Sequence, residues 1–258
     1  MLPPPASALQ QNSSSSFQPP PQPFSPPPSV LSRLHPLISH FLGHRPTKHT
    51  VPRQPIVWLW SFLGAFCGLS VIQAVFVYAK YFVKRGAPSI IPSYGASAVL
   101  IYGAIEAPLA QPQALVAGHF LGALIGIIVT KLFLLLPSES QFDNVSWLAV
   151  SLSCAITIVV MQMTKTVHPP AGATAILPAL DPSIRALGWY FIPLILLSST
   201  LALAVALLFN NIQRRYPVVW ITPLDVPSVP SFVRSRQNTM DEPESDKGSE
   251  ASGSELKA

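Results

Sequence analysis

Charged residues are what this sequence most lacks. Asp, Glu, Lys and Arg make up only 10% of its 258 residues and hydrophobic types make up 49%, whereas an ordinary soluble domain carries roughly 25% charge. The composition therefore excludes a soluble globular fold and reads as an integral membrane protein. No acidic residue falls in the middle of a long apolar run, which disfavours a proton relay through a buried carboxylate and leaves histidine as the titrating group at that depth. The two cysteines, Cys67 and Cys154, each lie inside an apolar run and read as small packing residues, neither a disulfide nor a metal pair. There is no H-E-x-x-H and no pair of intramembrane aspartates, so the chain is not expected to be an enzyme and nothing calls for a metal or a cofactor. The formal charge of +5 comes from basic residues that flank apolar runs without forming an aromatic-interleaved patch. Nucleic acid is not an expected partner; the lipid bilayer is.

What is present is long apolar sequence. A hydrocarbon core of about 30 Å takes roughly 20 apolar residues in a helix, and residues 56–82, 114–136, 147–163 and 187–209 form four such runs, with two shorter pieces at 88–105 and 169–180. Trp58, Trp60, Trp147 and Trp189 stand near the starts of their runs, where amphipathic rings favour the headgroup region. Arg45, Lys48 and Arg53 precede the first run, and Arg214 and Arg215 follow the last. The positive-inside rule then predicts that both termini are cytosolic, which requires an even number of crossings. Residues 1–54 read as a disordered Pro/Ser-rich cytosolic arm with a basic juxtamembrane end, 55–222 as the transmembrane domain, and 223–258 as a disordered acidic, serine-rich tail. The arm lacks the apolar core of a secretory signal and the repeated arginines of an organellar transit peptide.

An internal repeat organises the middle. GASAVL at residues 95–100 returns as GATAIL at 172–177, each preceded by proline, each between two long runs. The fold class that follows is an all-α polytopic bundle with an internal duplication: span, short Gly-Ala helix, span, twice. If each short piece crosses, the second copy is inverted and the crossings number six; if each is re-entrant, the copies are parallel and the crossings number four. Six places Lys165 with the cytosolic charges and a loop bearing Glu139 and Asp143 opposite, and leaves Lys84 and Arg85 as exceptions, so the reading leans to six.

The chemistry concentrates at the short pieces. In TVHPPAGATA, residues 166–175, Pro169 and Pro170 stop one helix and suit the first turn of the next. A helix N-terminus favours an anion, and irregular backbone at membrane depth is tolerated where it lines a cavity or is buried in protein. His168, Thr166 and Thr174 can add donors, while Gly172 and Ala173 let an ion or a helix come close. In the first copy, PSYGASA, Ser93 is the expected N-cap, Tyr94 offers a phenol, and Gly95 and Ser97 occupy the matching turn. His119 is either a second polar group of the same pathway or a histidine bonded to a carbonyl of the preceding turn. Gly118, Gly122 and Gly126 recur every four residues, and Gly64 and Gly68 do so in the first run; these read as helix-packing faces. Close packing is also the competing reading of the Gly-Ala stretches themselves. Glu106 and Asp181 end the short helices, in loop-capping or gating positions.

YGASAVL, APLAQPQALVAGH, TVHPPAGATA, LLFNNI and YPVVW, in that order, resemble the HPP family of integral membrane proteins over about residues 55 to 222. The resemblance implies a multi-pass domain of four or more spans, and plant chloroplast members of the family are associated with nitrite transport. The family motif falls on His168, Pro169 and Pro170, with the first-copy glycine motif at Gly95 to Ala98. The proline-rich arm is a departure, and chloroplast location does not carry over. The expectation is a carrier of a small inorganic anion, nitrite first, bound at the N-termini of the two short helices. The alternative is a non-transporting scaffold that uses its glycine faces for assembly, and a homo-oligomer is a candidate partner.

Overall fold

Proline punctuates the chain. In a computed structural model, which describes residues 35–44 and 53–221, five of the described α-helices carry proline in their first two positions, where a missing N–H costs nothing and the fixed φ suits the helix. The elements are α1 (Pro36–Phe41), α2 (Gln54–Tyr78), α3 (Lys80–Val83), α4 (Ser93–Ala98) continued by a π-helical turn at Val99–Gly103, α5 (Pro112–Phe133), α6 (Glu139–Met163), α7 (Pro169–Leu180), α8 (Pro182–Leu187) and α9 (Phe191–Gln213). Among the described residues four helical stretches are long and apolar enough to cross a membrane, so the protein is an all-α integral membrane bundle. The stretch in α5 is 50% buried and that ending in α9 44%, against 17% for α2 and 22% for α6. The first two therefore sit at the centre, and α2 and α6 turn most of their apolar surface outward. By contrast, α7 has 12 residues, roughly 18 Å of helix at 1.5 Å per residue, well short of a crossing.

Three boundaries differ from the sequence reading. The acidic loop is helix: α6 begins at Glu139, with the Ser138 hydroxyl accepting from Gln141 N, and Glu139 in the first turn suits the positive helix end. Ser93 is not the N-cap of α4; Pro92 holds that position with no side-chain cap, which frees the Ser93 hydroxyl for another partner. The arm is not wholly unstructured, because α1 is docked on the end of α9: Asn211 Nδ2 donates to Phe41 O at 2.9 Å, His40 Nε2 lies 2.8 Å from Asn211 O, and Trp220 Nε1 donates to Leu42 O at 3.0 Å. The rest of the expected disorder, 1–34, 45–52 and 223–258, lies outside the described residues.

Pairings between helices fix their directions. Trp60 Nε1 donates to Gln213 Oε1 at 2.9 Å, and the Tyr216 hydroxyl donates to Ala110 O at 2.7 Å, so α2 and α5 both begin at the end where α9 finishes. They run parallel to each other and antiparallel to α9. The short helix α4 runs with α9: the Tyr94 hydroxyl reaches Ile195 O at 2.7 Å, and Asn210 Nδ2 donates to Ile101 O at 2.8 Å. Along the seam of α5 and α7, Gly118 faces His168, Gly122 faces Ala171 and Gly126 faces Ala175, so these two are parallel. Val129 of α5, Ala149 of α6 and Ala179 of α7 cluster at the far end, which sets α6 antiparallel to both.

The directions thus alternate along α2, α4, α5, α6, α7 and α9. A re-entrant first piece would leave α2 and α5 antiparallel, and they are not. The second triplet is the inverse of the first, and both described termini lie at one end. Arg53, Lys165 and Arg214 share that terminal end, whereas Lys84, Arg85, Glu139 and Asp143 lie at the far end. Thr164 and Lys165 turn α6 toward α7: Lys165 takes a left-handed φ of 56°, and Thr166 N reaches back to Met161 O at 2.9 Å in the manner of a Schellman close.

Candidate substrate site at the overlap of two short helices

The first turns of α4 and α7 lie side by side, head past head. The Thr174 hydroxyl donates to Ser93 Oγ at 2.8 Å, and Ser97 Oγ lies 2.9 Å from His168 Nε2. Pairing the earlier residue of α4 with the later of α7 makes the two antiparallel, which is where an inverted repeat brings its broken helices together. His119, on α5, completes the group: its Nε2 is 2.7 Å from Ser97 Oγ, and its Nδ1 is 2.7 Å from Thr174 Oγ1. Its ring stacks on Tyr94, with centroids 4.5 Å apart and planes at 18°, and meets His168 edge-on at 4.9 Å. His168 Nδ1 donates to the Leu109 carbonyl at 2.8 Å. His119, His168, Ser97 and Thr174 are each 0% exposed, so four polar side chains are withdrawn from solvent and lipid together. That withdrawal is tolerable only because they bond one another.

His119 makes neither ring bond to a carbonyl of its own helix; both go to Ser97 and Thr174. Ser93, Tyr94 and Ser97 converge with His168 and Thr174, as the matching motifs suggested. Others do not. Gly95 and Ala173 are exposed, as is Pro169. Gly172 is buried with its face toward Cys154 of α6. Thr166 bonds Thr164 Oγ1 at 2.7 Å, off the histidine group. At the helix starts expected to hold an anion, several backbone amides are missing or already engaged. Pro169 and Pro170 have no N–H, Ala171 N already donates to His168 O at 2.9 Å, and Gly95 N donates to Pro92 O at 3.0 Å.

The glycines explain how the elements come so close. A Cβ at Gly118 would stand 2.8 Å from His168 Cβ, and one at Gly122 or Gly126 would meet the carbonyl oxygen of Ala171 or Ala175. At Gly64 a Cβ would stand 2.7 Å from the Tyr102 ring, and at Gly68 it would meet the Tyr102 hydroxyl. All five serve backbone or ring approach. Gly95 has nothing within 4 Å.

Sequence reasoning missed several partners. Ser199 Oγ lies 2.7 Å from the Tyr94 hydroxyl and so anchors the ring that stacks on His119. Ser198 Oγ beside it is buried without a partner. Two serines in an apolar run were the available signal. At the terminal end a cavity of about 720 Å³ is lined by residues that include Gly103, Glu106, Arg214 and Arg215, and the chain from its lining leads directly to Leu109. Arg214 there donates to Tyr102 O at 3.0 Å and to Asn210 Oδ1 at 2.6 Å. Beyond the spans, burial raises the Tyr216 phenol above its ordinary range, and at the far end hydrogen bonds from Ser183 hold the Asp181 carboxyl below its own. Among the described residues no three metal-ligating side chains gather.

The family model for the HPP transmembrane region matches residues 51–217, well over half of the chain. Two transmembrane proteins of Dictyostelium discoideum are 35% and 37% identical to it over 164 residues, 62% of this chain and 50% and 55% of theirs. The chain spans about half the length of these curated relatives. No solved structure matches.

Proposed function

Since the chain belongs to the HPP transmembrane family, we propose that it carries a small inorganic anion across the bilayer, nitrite first, through the seam where α4 and α7 overlap. The observation that supports this reading is a pair of fully buried histidines sharing one hydroxyl, with no carboxylate or cation among their hydrogen-bond partners. An ionisable group at membrane depth is functional by default. A protonated imidazole here would be an uncompensated cation, and its natural complement is an anion. The half-helices direct their positive ends at the same place, and the cavity bearing Arg214 and Arg215 offers positive potential on the approach. Both termini are assigned to the cytosolic face, following the basic residues beside the first and last spans.

Flux of nitrite, nitrate and chloride into proteoliposomes tests the reading, with His168→Ala alongside. The expected outcome is selective flux that falls at least tenfold in the variant while its elution and unfolding temperature stay close to those of the parent. Imidazolium favours an anion, so flux should rise as pH falls; a flat profile between about pH 5 and 8 would remove the histidines from the pathway. One observation favours the scaffold alternative: every ring nitrogen of the pair already has a partner inside the protein. A scaffold would show no flux for any anion and would tolerate His168→Ala.

A further inference from the structure

We propose that two copies of the chain pair along the outward face of α2, joined across a two-fold axis by the carboxamides of Gln73. The pairing does not depend on what the protein carries. Gln73 is exposed and lies inside the first span, five residues before Tyr78 ends α2, about 7.5 Å along the axis at 1.5 Å per residue. Its carboxamide makes no hydrogen bond among the described residues, and neither does the hydroxyl of Ser70, exposed one turn earlier. Exposed hydroxyls deep in other spans behave differently: Ser151 closes on Trp147 O at 2.9 Å and Thr200 on Leu196 O at 2.8 Å, each within its own helix. Gln162 is also exposed, but it stands at the end of α6 beside Lys165. Lipid tails offer Gln73 neither donor nor acceptor, and a polar group left unsatisfied in the hydrocarbon is costly.

The residues in line with Gln73 form a seam. Back from Val77, the positions Gln73, Ser70, Phe66, Phe62 and Leu59 follow at steps of three or four, which places them on one helix face. Leu59, Phe62, Phe66 and Val77 are 46% to 66% exposed, and the rings of Phe62 and Phe66 stack with centroids 6.2 Å apart. The other side of α2, with Gly64, Gly68, Ile72 and Phe76, is buried within the chain. An apolar seam interrupted by one carboxamide is the device that fixes register and partner in paired helices.

The partner that complements this face is a second copy of it. A carboxamide carries both donors and an acceptor, so two of them brought face to face satisfy each other. Copies inserted in the same sense and related by a two-fold axis along the membrane normal bring each residue opposite its own counterpart. Gln73 then meets Gln73 at its own depth, between apolar contacts on either side. The glycines that the sequence offered for assembly are engaged inside the chain, Gly64 and Gly68 against Tyr102 and Gly118, Gly122 and Gly126 against His168 and α7. Assembly therefore falls to a different surface, and α2 is the span with least of its length buried.

Cross-linking in the membranes of cells producing the full-length protein tests the pairing. Phe62→Cys, Phe66→Cys and Val77→Cys are made singly in a background without Cys67 and Cys154. Val71→Cys, on the flank of α2, and Val159→Cys, on the outward face of α6, are the controls; both positions are exposed. Oxidation should join the three seam variants into covalent dimers and leave the controls monomeric. In proteoliposomes of increasing lipid content, Gln73→Leu should lower the dimer association constant about threefold or more, the scale of an interhelical hydrogen bond in a membrane. Gln73→Asn, which keeps the carboxamide, should stay nearer the parent. Since Gln73 bonds no group of its own chain, the Gln73→Leu monomer should unfold at the parent's temperature, which separates loss of pairing from loss of fold. A monomer at every lipid content, equal cross-linking at seam and control positions, cross-links to a different protein in place of the dimer, or a Gln73→Leu dimer as strong as the parent's overturns the proposal.

Discussion

At the scale of residues, the same amino acid serves opposite ends in different places, and glycine shows it best. Gly126 lies under Ala175 O, so Gly126→Ala must push α7 away from α5 or displace a carbonyl. A loss of about 1 to 3 kcal/mol is expected from such overpacking, read as a lower unfolding temperature in detergent. Gly95 has open space around its Cβ direction and sits in a helix, so Gly95→Ala should leave stability unchanged or raise it, as the better helix former. The pair separates a glycine that packs from one that only occupies a matching motif. Both were visible in the sequence as small residues in a repeat, and nothing local distinguished them. His168 and His119 were legible because an imidazole in an apolar run must find partners. Ser199 and the Leu109 carbonyl were not, because their importance comes from helices that meet only in the folded chain.

At the scale of elements, helix starts carry most of the local information. Asp181 caps α8, accepting from Ser183 N at 2.8 Å and Ser183 Oγ at 2.7 Å. Asp181→Ala should cost about 0.5 to 2 kcal/mol, the usual range for a lost cap. Because the folded state holds this carboxyl below its ordinary range, chiefly through the Ser183 hydroxyl, its contribution is fully present above the unfolded pKa and is lost as pH falls through the folded one. Unfolding temperatures of parent and variant should therefore differ at neutral pH and converge in acid below about pH 4. The four long spans were legible from hydropathy alone. The start of α6 was not, since polar residues 139–146 make a helix as readily as a loop, and neither was α1, whose place depends on Asn211 and Trp220 at the opposite end of the sequence.

At the scale of the whole molecule, the repeat left inverted and parallel copies open with a lean to the inverted pair, and the alternating directions of the six elements agree with that pair. Single cysteines placed at residues 84, 106, 139 and 165 in a background without Cys67 and Cys154 provide the check. With a membrane-impermeant reagent, 106 and 165 should label from one face and 84 and 139 from the other; labelling of 84 and 106 from the same face would restore the re-entrant reading. The two triplets also differ in how they are bound. Helices α5, α6 and α7 pack on one another, and the glycine seam between α5 and α7 leaves no side chains to slide over. Helices α2, α4 and α9 are tied together by Tyr94, Tyr102 and Asn210, and α9 also packs along α5, so one continuous core joins the two triplets. Both histidines and Thr174 lie on the α5 and α7 side of the junction, while Ser93, Ser97 and Tyr94 come from α4. A shift of α4 alone would part serine from histidine at every link at once, so the buried polar cluster reports the seating of one six-residue helix.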